Sequence, residues 1–200
     1  MVAFGRQDVN SSGYPDAVRA ARAGGFEAVQ RLAGGRAAVF HECTIAFAWA
    51  GRARDTWSGT HDRFRTIARI VERALRRLGV DARTGEIPRE YCPGAYSINA
   101  RGQAKLAGIG QRLIKGGWHI GGVIVVAEAD RVRDVLVPVY EALGLDWDPA
   151  TTGALDQEVP GIGWEEVAAA LRAELPAHEP AGLDAATLAL AERFEPEHLG

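Results

Sequence analysis

The chain has 200 residues, 47% of them hydrophobic and 24% charged, which is ordinary for a globular protein and enough for one domain with a full core. A formal net charge of −3 and a pI near 6.0 argue against a large basic surface for nucleic acid. No apolar run is long enough to span a bilayer, and residues 1–6 lack the pattern of a secretory signal. We therefore expect a cytoplasmic protein with reduced cysteines.

The first 80 residues are predicted to contain several short strands and one long helix. Helical spacing of apolar residues is clearest over 61–78, where Thr60 is a plausible N-cap and Gly79 supplies a stop. Pro15 can open an earlier, shorter helix. In chain order, the predicted elements are a strand at 2–4, a helix at 15–23, strands at 27–31, 37–40 and 44–50, a polar loop at 51–59, and the helix at 61–78.

The rest of the chain is predicted to form a hairpin followed by helices. A strand at 96–99 turns and returns through Lys105, and another strand covers 118–126. Pro138 either begins or kinks the second part of a helix at 130–143. Two more helical patterns, at 164–175 and 183–194, are separated by Pro176, Pro180 and Gly182. Strands clustered in the centre, with helices before, between and after them, predict an α+β fold with a helical C-terminal tail.

Lysine is rare in this chain. Only Lys105 and Lys115 are lysines among 23 cationic residues. Arginine is forked and permanently charged, whereas the compact amine of lysine can approach one carbonyl or phosphate oxygen. Lys105 lies near Gly102 and Gly108, which allow a backbone to approach a ligand closely. We therefore predict a functional role for Lys105, and none for Lys115, which sits in a predicted turn.

The two cysteines lie in different contexts and give no disulfide framework. Cys92 precedes Pro93 and Gly94 in a predicted loop, a little before Lys105. A neighbouring cation makes a thiolate more accessible, so Cys92 is either a nucleophile or an inert, half-buried loop cysteine. Cys43, in an apolar strand, is predicted to be structural.

Other motifs carry weaker signals. The Gly34–Gly35 pair between two predicted strands can present N–H groups to an anion or a polar head group, although such pairs are more often plain hairpins. Gly122 and its neighbouring glycine would leave part of a strand without side chains, so that an apolar ligand could lie across it. His119 is interpreted as an ordinary strand histidine.

No metal site is predicted. His41 and Cys43 would point to one face of a continuous strand, but two ligands without a third do not bind a metal ion. The segment 108–110 lacks the third glycine and the strand–turn–helix context of a dinucleotide fingerprint.

In chain order, these motifs resemble the biotin/lipoate protein ligase superfamily, in particular the lipoate–protein ligases and octanoyltransferases. Its first motif, Arg-x-x-Gly-Gly-x-Ala, is matched at Arg31, Gly34, Gly35 and Ala37. Its second motif, a lysine followed by a spaced glycine and glutamine, is matched at Lys105, Gly108 and Gln111. The resemblance covers roughly residues 2 to 145.

The resemblance implies a fold like the catalytic domains of class II aminoacyl-tRNA synthetases and biotin synthetases, a mixed β-sheet with packed helices. Residues 1–150 would be the catalytic domain and 151–200 a helical appendage of the same domain. The implied activity moves an octanoyl or lipoyl group to a lysine of a lipoyl carrier domain. Such domains occur in a 2-oxoacid dehydrogenase or the glycine cleavage system, and an acyl carrier protein is a further partner.

The resemblance also implies roles for individual residues. Lys105 would hold the acyl carbonyl oxygen, where negative charge develops during the reaction. Cys92 would be the second catalytic residue. The residues implied in substrate binding are Arg31, Gly34, Gly35, Arg36, Ala37, Gly108, Gln111 and Gly122.

Three activities stay open at this point, and transfer through a Cys92 thioester is favoured over the other two. Cysteine-dependent octanoyltransferases form a thioester and often carry Gly-Gly-Arg, which this chain has at 34–36 together with Cys92. Lipoate–protein ligases instead use ATP and Mg²⁺ to form lipoyl-adenylate. A non-catalytic relative that binds a lipoyl domain is the third alternative. The chain also departs from the family pattern: His41 and His119 are displaced, and the family usually has a helix and a strand before the point where this chain begins.

Overall fold

The computed structural model describes residues 1–199, which form two β-sheets with helices packed against them. In chain order, the elements are β1 (Val2–Phe4), α1 (Arg6–Val9), α2 (Tyr14–Ala23), β2 (Ala28–Gln30), β3 (Ala38–Val39), β4 (Thr44–Arg52), α3 (Thr60–Arg77), β5 (Ala82–Thr84), β6 (Ile98–Ala100), β7 (Ala104–Ile114), β8 (Gly117–Val125), α4 (Ala129–Ala142), α5 (Trp164–Glu174) and α6 (Ala185–Phe194). Short 3₁₀ turns lie at Pro149–Thr151, Leu155–Gln157 and Glu195–Glu197.

The larger sheet is antiparallel throughout, with strand order β4-β8-β7-β6-β5. The smaller sheet has order β2-β1-β3, and β1 runs parallel to β2 and antiparallel to β3. In the long β7–β8 hairpin, Gly110 pairs with Gly121 and Ile109 with Gly122. The predicted α+β class, with packed helices and a helical C-terminus, is confirmed.

Helix α3 covers the larger sheet with the apolar stripe that its sequence predicted. Its buried residues are Ile67, Ala68, Val71, Ala74 and Leu75. The helix begins at Thr60, and Gly59, in a left-handed conformation, occupies the N-cap position that had been predicted for Thr60. Helix α5 packs on α3 and contributes Val167 and Ala168 to the same core.

Helices α2 and α4 cover the smaller sheet. Phe4, Leu136, Tyr140 and Trp147 belong to the core between them. Helix α4 is continuous through Pro138, so this proline neither starts a new helix nor ends one. None of the helices in residues 1–199 combines the length and apolar character that a bilayer-spanning helix requires.

Two strand predictions needed correction. The strand predicted at 96–99 begins only at Ile98, because the preceding residues form a loop in which the Ser97 hydroxyl binds Glu90. Strand β5 was not predicted, since it has three residues of which only Ala82 is buried. Such a short strand shows no alternation of polar and apolar residues to detect.

Candidate active site

Lys105 is the second residue of β7, and its side chain is buried, with 1% of its surface exposed. Its Nζ atom donates to Glu90 Oε1 at 3.0 Å, to the Tyr91 carbonyl at 2.9 Å and to the Cys92 carbonyl at 2.7 Å. An ammonium group has three protons, so every donor has an acceptor in the free protein. The amine therefore fixes the backbone of the loop that carries Cys92.

Glu90 supplies the counter-charge for this buried amine. Its Oε1 atom also accepts from the Ser97 hydroxyl, and Oε2 accepts from the Ile87 N–H at 3.2 Å. A buried ion pair of this kind is tolerated when its remaining hydrogen-bonding capacity is filled, as it is here. Glu90 was not predicted as a site residue, although it is a carboxylate only two residues before Cys92.

Cys92 has a left-handed backbone conformation, with φ of 44°, which is uncommon for a residue other than glycine and often found at functional sites. Its N–H donates to the Tyr140 hydroxyl oxygen at 2.8 Å, and that hydroxyl donates to the Ala37 carbonyl at 3.0 Å. Tyr140 on α4 therefore connects the Cys92 loop to the chain that follows the glycine pair. Burial raises the pKa of Tyr140 well above its ordinary value, which keeps this hydroxyl protonated.

The sulfur of Cys92 accepts hydrogen bonds from the N–H of Arg36 at 3.2 Å and from Nη2 of Arg31 at 3.5 Å. Two donors are thus directed at the sulfur, one of them cationic, and a polar environment of this kind is found around nucleophilic cysteines. Arg31 Nη2 also donates to the Arg36 carbonyl at 2.6 Å, which holds the guanidinium in place. The buried Nε–H of Arg31 has no acceptor within residues 1–199.

Glycine is required at position 35 for two reasons. Its φ is 103°, in the left-handed region that other residues rarely adopt. A Cβ atom there would also lie 2.8 Å from Cys92 Sγ and 2.6 Å from Arg31 Nη2. The neighbouring Gly34 lies against β7, where its N–H donates to the Gln111 carbonyl at 3.4 Å and its carbonyl would be 3.2 Å from a Cβ on Gly110.

The side chain of Arg36 anchors the glycine loop, residues 34–36, to Asp8. Its side chain turns away from Cys92, and Nη1 meets Oδ1 of the fully buried Asp8 at 3.2 Å. Burial raises the pKa of Asp8, although the Gly5 N–H and Arg36 oppose that shift. The side chains of Arg36 and Ala37 lie outside the cavity described next, so these two residues contribute to the site through their backbone groups.

A cavity of about 400 Å³ leads from Cys92 and Lys105 along β7 and β8 to the start of α3. Its volume lies in the usual range for small-molecule sites. It is lined by eight residues that the sequence analysis had selected: Arg31, Gly34, Gly35, Cys92, Lys105, Gly108, Gln111 and Gly122. Its apolar walls include Phe40, Phe64, Tyr96, Ile109, Leu113 and Val123.

Phe64 and Tyr96 form an aromatic wall of the cavity. Their rings stack with centroids 4.9 Å apart and an interplanar angle of 9°, and His61 Nδ1 lies 3.1 Å from the Tyr96 hydroxyl. The helical spacing of apolar residues over 61–78 includes Phe64 and predicts that it faces the core. The structure places it at the edge of that face, half-buried, where it borders the cavity.

Gln111 ties β7 to the start of α3. Its amide oxygen accepts from Arg63 Nε, and its amide nitrogen donates to the Thr60 carbonyl at 3.3 Å. Arg63 also donates to the carbonyls of Thr56 and Ser58, so the polar loop before α3 is held beside the cavity. Gln111 thus both borders the cavity and fixes one of its sides.

The residues predicted to be structural lie away from the cavity. Lys115 and His119 are exposed on the β7–β8 hairpin. Burial and the nearby Arg131 lower the pKa of His41, whereas burial and Glu128 raise the pKa of the Cys43 thiol. Neither His41 nor Cys43 lines the cavity.

The model of one protein family, the lipoyl protein ligase A/B catalytic domain, matches residues 1–175. The chain therefore belongs to this family, and the resemblance inferred from its two motifs is confirmed.

Curated relatives of this chain are octanoyl-[GcvH]:protein N-octanoyltransferases. Those of Geobacillus kaustophilus and Exiguobacterium sibiricum are 25% and 29% identical over 143 and 147 residues, which cover 72% of this chain and 50% and 52% of theirs. The Staphylococcus aureus protein is 30% identical over 118 residues, covering 58% of this chain and 41% of its own. The chain spans about half the length of the curated relatives it matches.

Solved structures with the same fold are lipoate-protein ligases. Lipoate-protein ligase A bound with ATP superposes with a TM-score of 0.75 at 19% identity, over 98% of this chain and 77% of that one. A bipartite ligase from Thermoplasma acidophilum, analysed with its E2 lipoyl domain, gives 0.75 at 17% identity, over 98% and 76%. At these identities the comparison establishes the fold.

Proposed function

We propose that this chain transfers an octanoyl group to a lysine of a lipoyl carrier domain through a thioester on Cys92. The observation that carries this proposal is the position of the Cys92 sulfur. It lies at the polar end of an apolar cavity, between the N–H of Arg36 and the guanidinium of Arg31. The names of the curated relatives support octanoyl transfer.

In the first step, the Cys92 thiolate attacks the carbonyl carbon of the donor's octanoyl group. A carbon–sulfur bond forms, the bond to the donor breaks, and the donor's leaving atom takes up a proton. The relatives' names suggest octanoyl-[GcvH] as the donor, and an octanoyl-acyl carrier protein is the other candidate. Arg31 and the Arg36 N–H hold the Cys92 sulfur in place for this attack.

Negative charge develops on the acyl oxygen during this attack, and two cationic groups lie beside Cys92. Lys105 can donate to that oxygen if it exchanges one of its two carbonyl acceptors for it. Arg31 offers an Nε–H without a partner in the described chain. Donors already held in place lower the barrier because they need little reorganisation when the charge appears.

In the second step, the amine of the acceptor lysine attacks the thioester carbon. The amide bond forms, the carbon–sulfur bond breaks, and the amine loses a proton, which regenerates the Cys92 thiolate. The hydrocarbon chain rests meanwhile on the apolar walls, including Phe40, Leu113 and Val123. Burial contributes about 0.8 kcal/mol for each methylene removed from water.

This proposal predicts ATP-independent transfer. The protein is incubated with octanoyl-[GcvH], or with octanoyl-acyl carrier protein, and an unmodified lipoyl domain, and the acceptor lysine is analysed by peptide mass spectrometry. We expect an octanoyl amide without ATP, its loss in Cys92→Ser, and its retention in the control Cys43→Ser. Transfer that requires ATP and survives Cys92→Ser would instead establish ligase chemistry. No transfer with any donor would favour a role in binding lipoyl domains.

A further inference from the structure

The fold supplies a third ligand to the two residues that the sequence placed on one face. The ligand atoms of His41, Cys43 and Glu128 all lie within 4.8 Å of one another. Nδ1 of His41 is 3.9 Å from Oε2 of Glu128. Glu128 precedes α4, far along the chain from the turn that holds the other two, so sequence spacing could not have revealed this group.

We propose that His41, Cys43 and Glu128 bind one Zn²⁺ ion, with water as the fourth ligand. Imidazole nitrogen, thiolate and carboxylate are all zinc ligands, and three protein ligands plus water complete a tetrahedron. The thiolate disfavours Mg²⁺ and Ca²⁺, which prefer oxygen ligands. The two negative charges of the thiolate and carboxylate balance the ion, and the Cys43 thiol releases its proton when the metal binds.

The backbone around these residues is already organised. The Cys43 carbonyl accepts from the N–H groups of Val126 at 3.0 Å and Ala127 at 3.2 Å, so the turn is joined to the segment that leads to Glu128. The Cys43 N–H donates to His41 Nδ1 at 3.2 Å, which holds that nitrogen beside the cysteine, and the ion would replace this hydrogen bond as the partner of the Nδ1 lone pair. The His41 side chain is 1% exposed, and its Nε2 has no partner within residues 1–199. Metal binding would therefore keep the main-chain bonds of Val126 and Ala127 to Cys43 and give up the hydrogen bond at His41 Nδ1.

Arg131 competes with the ion. Its Nη1 atom lies 3.3 Å from Glu128 Oε2 and also pairs with Glu42. Binding of the metal requires Glu128 to exchange this contact for the ion, while Arg131 keeps Glu42. A smaller positive charge at position 131 should therefore strengthen metal binding.

The bound ion would join the connection between the two sheets to the start of α4. His41 and Cys43 lie in the turn that connects β3 of the smaller sheet to β4 of the larger one, and Glu128 precedes α4. An ion there would link the connection between the sheets to the helix that carries Tyr140. It would stabilise the folded state by an amount that grows with the logarithm of the ion's concentration relative to its dissociation constant.

The test uses untagged, metal-free protein titrated with Co²⁺, which reports thiolate ligation as a charge-transfer absorption band. The chain has two cysteines, so the variants Cys43→Ser and Cys92→Ser assign that band. We expect one equivalent of Co²⁺, a band lost in Cys43→Ser and kept in Cys92→Ser, and displacement by Zn²⁺ with a higher melting temperature. A wild-type protein without the band, or a band that persists in Cys43→Ser, would overturn the site.

Glu128 and Arg131 have partly exposed side chains, so substitutions at these two positions should leave the fold intact. Glu128→Gln removes a ligand from a half-exposed side chain and should weaken Zn²⁺ binding at least about tenfold, measured by calorimetry. Arg131→Gln removes the competing cation and should tighten binding. Unchanged affinity in Glu128→Gln would show that the carboxylate is not a ligand and would overturn the proposal.

Discussion

At the scale of single residues, Lys105 and Glu90 depend on each other. Both side chains are buried, with 1% and 0% of their surfaces exposed, and they are joined at 3.0 Å. Removing one partner leaves an uncompensated charge in the interior, which costs more than removing both. The pair therefore stabilises the Cys92 loop only as an intact unit.

We predict that Lys105→Met lowers the free energy of unfolding by about 3–5 kcal/mol, because Glu90 is left buried without its cation. In the double variant Glu90→Gln/Lys105→Met, part of this loss should be recovered, since a neutral amide can still accept from Ser97. Urea unfolding of the wild type, Lys105→Met, Glu90→Gln and the double variant measures the coupling. A double variant as unstable as the sum of the two single changes would show that the residues act independently.

The sequence singled out Lys105 and Cys92, which line one cavity in the structure, and missed the residues that position them. Lys105 and Cys92 were recognisable because the chain has only two lysines and two cysteines, and because glycines lie near both residues. Tyr140 lies 48 positions from Cys92 along the chain, and only the packing of α4 brings its hydroxyl to the Cys92 N–H. Such contacts leave no local pattern, because they depend on how distant elements meet.

At the scale of elements, the glycine loop and the Cys92 loop form one structure. Gly35 fits between Arg31 and Cys92 because it lacks a side chain and adopts a φ of 103°. The loop rests on β7 at Gly110, another position where a side chain would come close to the backbone. The Gly34–Gly35 pair, which could have been a plain hairpin turn, therefore belongs to the loop that contacts the Cys92 thiol.

Gly35→Ala should reduce transfer on the order of 10²-fold or more, because the new Cβ displaces the sulfur from its donors. Gly25→Ala is the matched control: its φ of 80° is also in the positive region that is unfavourable for alanine, but no atom lies within 4 Å of the added Cβ. The control should lose about 1 kcal/mol of stability and keep its activity. Equal losses of activity in the two variants would show that backbone strain, and not contact with Cys92, causes the effect.

Element boundaries were predictable where a long periodic pattern existed. Helix α3 was predicted at 61–78 and is observed at Thr60–Arg77, because its apolar stripe is long and faces one sheet. Strand β5 has three residues and could not be recognised, since its partner β6 and not its own sequence determines it. The arrangement of the strands into two sheets could not be predicted either, because strand pairing joins segments that lie far apart in the sequence.

At the scale of the whole molecule, the C-terminal region has two parts with different packing. Leu155 and Val167 are fully buried in the core that contains α3 and the larger sheet. Helix α6 has no buried residue, and the segment after it contacts β2 through a hydrogen bond from Gln30 N–H to the His198 carbonyl at 2.7 Å. We propose that the core of the catalytic domain extends through α5 and that α6 is the dispensable part of the predicted appendage.

A variant ending at residue 177 should therefore fold, with a melting temperature within a few degrees of the wild type, and retain transfer. A variant ending at residue 150 should fail to fold, because it removes Leu155 and α5 from the core. Circular dichroism during heating, together with the transfer assay, checks both expectations. Inactivity of a well-folded variant ending at 177 would assign α6 a role in the reaction.

In the proposed reaction, Cys92 carries the acyl group. The most direct measurement is the intact mass of the protein after incubation with octanoyl-[GcvH] in the absence of an acceptor. We predict one added octanoyl group that maps to Cys92, is released by hydroxylamine as a thioester, and passes to a lipoyl domain added afterwards. An unmodified protein that still transfers octanoate would contradict the account, as would an octanoyl group found on Lys105 or Cys43.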